Sequence, residues 1–171
     1  VFQQQMRTSF LCFVIKELKP DLISCSTSNP QLRAKLMAEI GSIGVEPVHS
    51  VSSNGGIEPL GSGCLVHWGV RADDRWHIAR DEQAVRQIVA EDGVSIETRL
   101  RVPGGDIVHR ASSTPYRNTS LVIVEIENET PLPVAIALFT VGAGIWRSEG
   151  NAVFRNSVPV ISASKSVSHC L

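Results

Sequence analysis

Aromatic side chains are scarce in this sequence, at 5% of 171 residues. Each tryptophan (Trp68, Trp76 and Trp146) therefore calls for a reason. Cysteine is sparse as well: Cys12, Cys25, Cys64 and Cys170 stand far apart with no CxxC pair. Zinc ligands come in pairs close along the chain, so no metal site is expected. A disulfide scaffold needs a higher density. Reduced, half-buried thiols are the expectation, and with them a cytoplasmic location. Neither sign of charge dominates, with 16 Lys and Arg against 17 Asp and Glu. No Lys/Arg run occurs, so there is no electrostatic reason to expect nucleic acid or an anionic membrane as partner. Long apolar runs are missing too. Phe10 to Ile15 is the strongest one near the start, far below the ~20 residues a membrane-spanning helix needs. Chemical motifs are equally absent. Gly61-Ser62-Gly63 leads into Cys-Leu-Val with no lysine, which a phosphate-binding loop would require. No G-x-S-x-G nucleophile elbow occurs. No cofactor is expected.

What is present is strand-forming sequence. From Ser120 to Val141, two β-branched runs flank a polar break at Asn128 to Pro133, the pattern of strand, turn, strand. From Val94 to Val102 the alternation is strict. Val94, Ile96, Thr98, Leu100 and Val102 point one way, and Ser95, Glu97, Arg99 and Arg101 the other, so one face is buried and one is wet. Pro103-Gly104-Gly105-Asp106 reads as a turn, with Ile107 to Ala111 returning as partner strand and a second turn at Thr114 to Asn118. Val153 to Phe154 and Val158 to Ile161 are further strand candidates. Cys64 to Val70 and Arg75 to Ala79 are extended around a turn at Arg71 to Asp74. Asp81 caps a short helix through Ala84, Val85, Ile88 and Val89; a loop crossing the sheet is the alternative. Sheets with one wet face pair antiparallel and stack on a second layer. Residues 54–171 are thus expected to form an antiparallel β-sandwich, in a chain that is mainly β.

Residues 1–53 differ in texture and read as an α/β extension or linker. Ser28, Asn29 and Pro30 open an amphipathic helix whose stripe is Leu32, Leu36, Ile40 and Ile43. Gly41 and Gly44 close it, and Val45 to Val51 is extended. With Leu22 to Cys25 this hints at a βαβ unit. Ser52 to Gly63 is rich in Gly, Ser and Pro and reads as a loop or boundary. The chain starts at Val1 and ends in the Ser-rich stretch Ser162 to Leu171, so a fragment of a longer protein is expected, with a processed mature chain as the alternative.

Candidate site residues are few. His67 and His77 would approach each other if their segments pair, as two metal ligands or as two strand histidines; the missing HxH or HxxxH spacing favours the latter. Asp73 and Asp74 are neighbours at a turn tip, where carboxylates point apart into water rather than flank a sugar. Exposed indoles stack on sugar rings. Trp76, between Arg75 and His77, is the best placed to face a ligand, and Trp68 and His77 complete the candidate set. Asn118-Thr119-Ser120 and Asn128-Glu129-Thr130 match the glycosylation sequon.

The run GGIEPLGSGCLVHWGVRADDRWHIARDEQAVRQ, then ETRLRVPGGDIVHR, then VIVEIENETPLPVAIAL resembles a group of uncharacterised bacterial proteins. In these an N-terminal β-sandwich precedes a glycoside-hydrolase-like α/α-barrel. The phrase VEIEN, turn, PVAIAL resembles a hairpin of sandwich domains in carbohydrate-active enzymes. The resemblance covers roughly residues 54 to 147. It implies an accessory domain that packs on a C-terminal domain of the same chain and helps to shape a carbohydrate site. No catalytic residue carries over, because acid and base lie on the barrel. A purely structural interaction module, and a small α/β enzyme built on residues 21–50, are the competing readings.

Overall fold

The structure is a computed structural model that describes residues 10–13, 37–42, 45–59, 63–116 and 119–164. The strands in chain order are β1 (Phe10–Phe13), β2 (Met37–Ser42), β3 (Val45–Ser52), β4 (Ile57–Glu58), β5 (Leu65–Ala72), β6 (Arg75–Ile78) and β7 (Val85–Val89). They continue with β8 (Ile96–Val102), β9 (Gly105–Tyr116), β10 (Thr119–Asn128), β11 (Ala135–Val141), β12 (Trp146–Glu149), β13 (Ala152–Arg155) and β14 (Val158–Ala163). Among the described residues no helix occurs and every pairing is antiparallel. The larger sheet has eight strands in the order β12-β13-β14-β1-β10-β9-β8-β7, and the smaller has six, β11-β5-β4-β3-β2 with β6 added beside β5.

One apolar cluster joins the inner faces of both sheets. Val51, Ile57, Val66, Trp68 and Val70 come from the smaller sheet, and Ile96, Leu100, Ile107, Val122 and Val124 from the larger. Each such side chain stabilises the fold by roughly 1.5–3 kcal/mol when fully buried. The alternation in β8 holds: Ile96, Thr98, Leu100 and Val102 are buried on the inner face. Two hairpin turns follow directly from local chemistry. Pro103-Gly104 links β8 to β9 with Gly104 at φ +92°, the proline-then-glycine pattern of a type II turn. Asp73 and Asp74 both have positive φ between β5 and β6, which a type I′ hairpin requires. Both carboxylates are exposed.

Several sequence expectations are corrected. Val85–Val89 is an edge strand, not a helix or a loop. Its β-branched residues satisfy their backbone by pairing with β8, while Gln87 Nε2 donates to Ser52 O at 2.7 Å and Thr98 Oγ1 at 3.1 Å. The last part of the amphipathic helix expected through Ile43 falls on Met37–Ser42, which is strand; the part before residue 37 lies outside the described residues. Met37–Ser42 pairs antiparallel with Val45–Ser52, so these two do not form a βαβ unit. Val94 lies outside β8 at 70% exposure. β9 runs on to Tyr116, through the turn expected to start at Thr114. The first half of Ser52 to Gly63 is a tight turn inside the smaller sheet, closed by Ser52 N–H donating to Gly56 O and Gly55 N–H donating to Ser52 O, both at 2.8 Å.

The largest correction concerns Ser120 to Val141. β10 and β11 do not form a hairpin: β10 pairs with β9 and β1, and β11 with β5 in the other sheet. Asn128 folds the crossing between them. Its Oδ1 accepts from Thr130 N–H at 2.9 Å and its Nδ2 donates to Leu132 O at 2.7 Å.

Candidate functional site

The three site residues expected from sequence separate into two inside and one outside. Trp68 is 1% exposed; its indole stacks on His109 at 4.9 Å and its Nε1 donates to Asn54 O at 3.0 Å. Both indole faces and the polar edge are thus committed to the core and its turn. His77 is also buried. Its Nδ1–H donates to Glu82 Oε1 at 3.1 Å, and Glu82 also accepts from Arg75 Nη1 at 2.8 Å. The register explains the burial: His77 opposes Val70, an inner-face residue, and directly opposed residues share a face. His67 opposes Phe139 on the outer face, so the two histidines lie on opposite sides of the sheet and do not converge.

Trp76 is the exposed one, at 45%. It opposes Arg71 on the outer face of the smaller sheet. Phe139 meets it edge to face, with centroids 6.4 Å apart and planes at 81°. Such pairs add about 0.5–1.5 kcal/mol beyond burial and here fix the indole in one orientation. Between them Gly69 lets Phe139 approach the backbone: a Cβ there would meet Phe139 Cε2 at 3.3 Å and His77 O at 2.8 Å. Arg75 shares the opposite face with His77, where Glu82 pairs with both; the outer face is left with an aromatic platform rimmed by Arg71. It can take a flat, partly apolar ring with hydroxyls at its edge. The sequence reading missed Phe139 and Glu82, which join Trp76 and His77 only through strand pairing and turn geometry.

The outer face of the larger sheet is ionic. Glu97, 6% exposed, accepts from Arg99 Nε at 2.5 Å and from Arg110 Nε at 2.8 Å. Arg110 continues to Glu127 and Arg99 to Glu129, both at 2.9 Å. Asp106 accepts from Arg101 at 2.9 Å and Arg86 at 3.1 Å. Burial alone would raise the Glu97 carboxyl, but its two arginine hydrogen bonds and their charges outweigh that and hold it below the ordinary range. Asp106 is lowered chiefly by its hydrogen bond from Arg101. A cavity of about 600 Å³ opens beside this lattice, lined by Arg86, Ile88, Asp92, Glu97, Arg99 and Arg110. Its donors and acceptors are largely spent on one another.

The arrangement offers little to catalysis. His49 Nε2 and Ser120 Oγ lie 2.6 Å apart, the spacing of a base and a nucleophile. Both are fully buried, however, and His49 Nδ1, where a triad places its orienting carboxylate, has no partner. Among the described residues no group of three His, Cys, Asp or Glu could hold a metal ion, and no helix is long and apolar enough to cross a membrane. Comparison of the chain with protein-family models, with curated proteins and with solved structures finds no match.

Proposed function

We propose that the two antiparallel sheets form a β-sandwich that serves as a non-catalytic accessory domain of a carbohydrate-related protein. The observation that carries this reading is the Trp76 indole, 45% exposed and braced edge-on by Phe139. A rigid indole costs little entropy on binding and offers a flat face to the C–H side of a sugar ring. Arg71 stands opposite it on the same face to meet ring hydroxyls. In this reading the remaining sandwich surface packs on a further domain of the same polypeptide, which holds the catalytic groups. A glycan array followed by calorimetry tests it. Binding that falls at least tenfold in Trp76→Ala, with the fold intact, is the expected result; no binding to any glycan by the unaltered protein overturns it.

A second reading, a purely structural interaction module, draws on a different surface. The edge strand β7 and its turn expose Ile88 at 54%, Val89 at 62% and Val94 at 70%. Apolar side chains on a sheet edge favour association. Replacing Val89 and Val94 by Lys should abolish self-association or docking in that case and leave glycan binding untouched.

A further inference from the structure

Within the apolar core that joins the two sheets, two buried contacts across them use a histidine that makes no ion pair among the described residues. His49 of β3 meets Ser120 of β10 at 2.6 Å. His109 of β9 stacks on Trp68 of β5 at 4.9 Å with planes 19° apart. His49 is 0% and His109 2% exposed, and each has a buried Nδ1 with no partner among the described residues. Among the described residues, no ion pair involves either ring. Around His49 lie Ile40 of β2 and Ser120 of β10. Around His109 lie Thr98 of β8, Ile126 of β10 and Trp68 of β5. The charged residues of β8 to β10 (Glu97, Arg99, Arg110 and Glu127) form their ion pairs on the opposite face. His77, the third buried histidine, is different because Glu82 stands at its Nδ1.

We propose that His49 and His109 form an acid-release latch: neutral, they join the two sheets, and taking up a proton on each parts them. Hydrogen-bond supply sets the outcome. A neutral imidazole needs one donor and one acceptor contact, and here one nitrogen is already unpaired. The imidazolium has two N–H groups and a full charge, so protonation would place an unmet donor and an uncompensated charge between the sheets. Burial lowers both rings from 6.5, His109 to about 4. The unfolded chain therefore binds more protons than the folded one below 6.5, and folding weakens as pH falls through that window. Glu82 supplies a carboxylate at Nδ1 of His77, which is why that ring stands outside the latch.

The test compares denaturant unfolding at pH values from 7.5 to 4.5 in the unaltered protein, in His77→Gln and in His49→Gln/His109→Phe. Gln at 49 can still reach Ser120, and Phe at 109 can still stack on Trp68, but neither titrates. In the unaltered protein the unfolding constant should rise with a slope approaching two protons above the background of the remaining groups, up to about a hundredfold per pH unit. The double variant should lose that increment, and His77→Gln should retain it. Histidine ring signals followed by NMR in the unaltered protein supply a second measurement that needs no variant: both rings should titrate below the ordinary imidazole value of 6.5, His109 not until about 4 or until the fold is lost. A slope unchanged in the double variant, or either ring titrating near 6.5 in the folded protein, overturns the proposal.

Discussion

Glu97 and His109 sit on adjacent strands, β8 and β9, one facing outward and the other inward, and both are more than nine-tenths buried. Their electrostatic fates are opposite. Glu97 keeps its charge because Arg99 and Arg110 converge on it. His109 loses its charge because burial disfavours the imidazolium and no ion pair among the described residues offsets it. The comparison teaches that burial does not decide whether a group is charged; the partners that the register brings opposite it do. Arg110 opposes Glu97, and His109 opposes Thr98. A shift of one residue in that pairing would exchange the faces and bring the arginine into the core.

The strongest way to break this arrangement is to put a charge on the inner face without partners. Leu100 is fully buried, and Leu100→Asp should abolish the cooperative unfolding transition in urea, a loss of more than about 4 kcal/mol. A soluble variant with a normal transition would mean that β8 faces the other way. Next in size is the pH profile. The gap between 6.5 and about 4 at His109 corresponds to about 3 kcal/mol of stability, present above pH 6.5 and lost as pH falls toward 4. Glu97 and Asp106, both lowered by their arginines, behave as depressed carboxylates: their contribution is whole above the ordinary carboxylate range and goes only as pH drops below it. Acid titration of stability should thus show two stages, and His109→Phe should shrink the upper one, to which His49 also contributes, while leaving the lower one in place. Third, Glu97→Gln should cost about 2 kcal/mol at pH 7, through loss of two charge-assisted hydrogen bonds, and should weaken the lower stage; an unchanged urea midpoint would show the lattice to be ornamental. Trp76→Ala, by contrast, should change stability by about 1 kcal/mol or less, since it forfeits one edge-to-face contact at a half-exposed site, while on the proposed function any glycan binding falls at least tenfold. The smallest effect is expected at the hairpin tip. Asp74→Gly relieves a positive φ of 60° and should raise stability by about 0.5 kcal/mol, measured as a small upward shift of the thermal midpoint.

What the sequence disclosed was local. β8 was readable because its period of two is unbroken from Ile96 to Val102. The Pro103-Gly104 turn was readable because its chemistry is carried by the two residues themselves. β7 was not, because Ala84, Val85, Ile88 and Val89 fit a helical stripe as well as a strand in so short a segment. The separation of β10 from β11 was not readable either, since which strands pair depends on partners 60 or more positions away, such as Leu65 to Arg71 for β11. At the candidate site, parity held the missing information. Val66, Trp68 and Val70 share one face, and His67, Gly69 and Arg71 the other, which separates the buried indole from the exposed one. The same parity sets His109 with Ile107 and Ala111 in the core, where a polar residue would not be placed by composition alone.

β1 has a consequence of its own. Leu11 opposes both Val124 of β10 and Ala163 of β14, so the four residues Phe10–Phe13 are the mortar between the central strands and the trailing β12–β13–β14 meander. A ribosome must pass Ala163 before that course can be laid, because β10 starts only at Thr119 and β14 only at Val158, both far along the chain from Phe13. The larger sheet is therefore assembled as two blocks that wait for one short strip of early sequence to cement them, and whatever holds or hides that strip during synthesis governs when the wall closes.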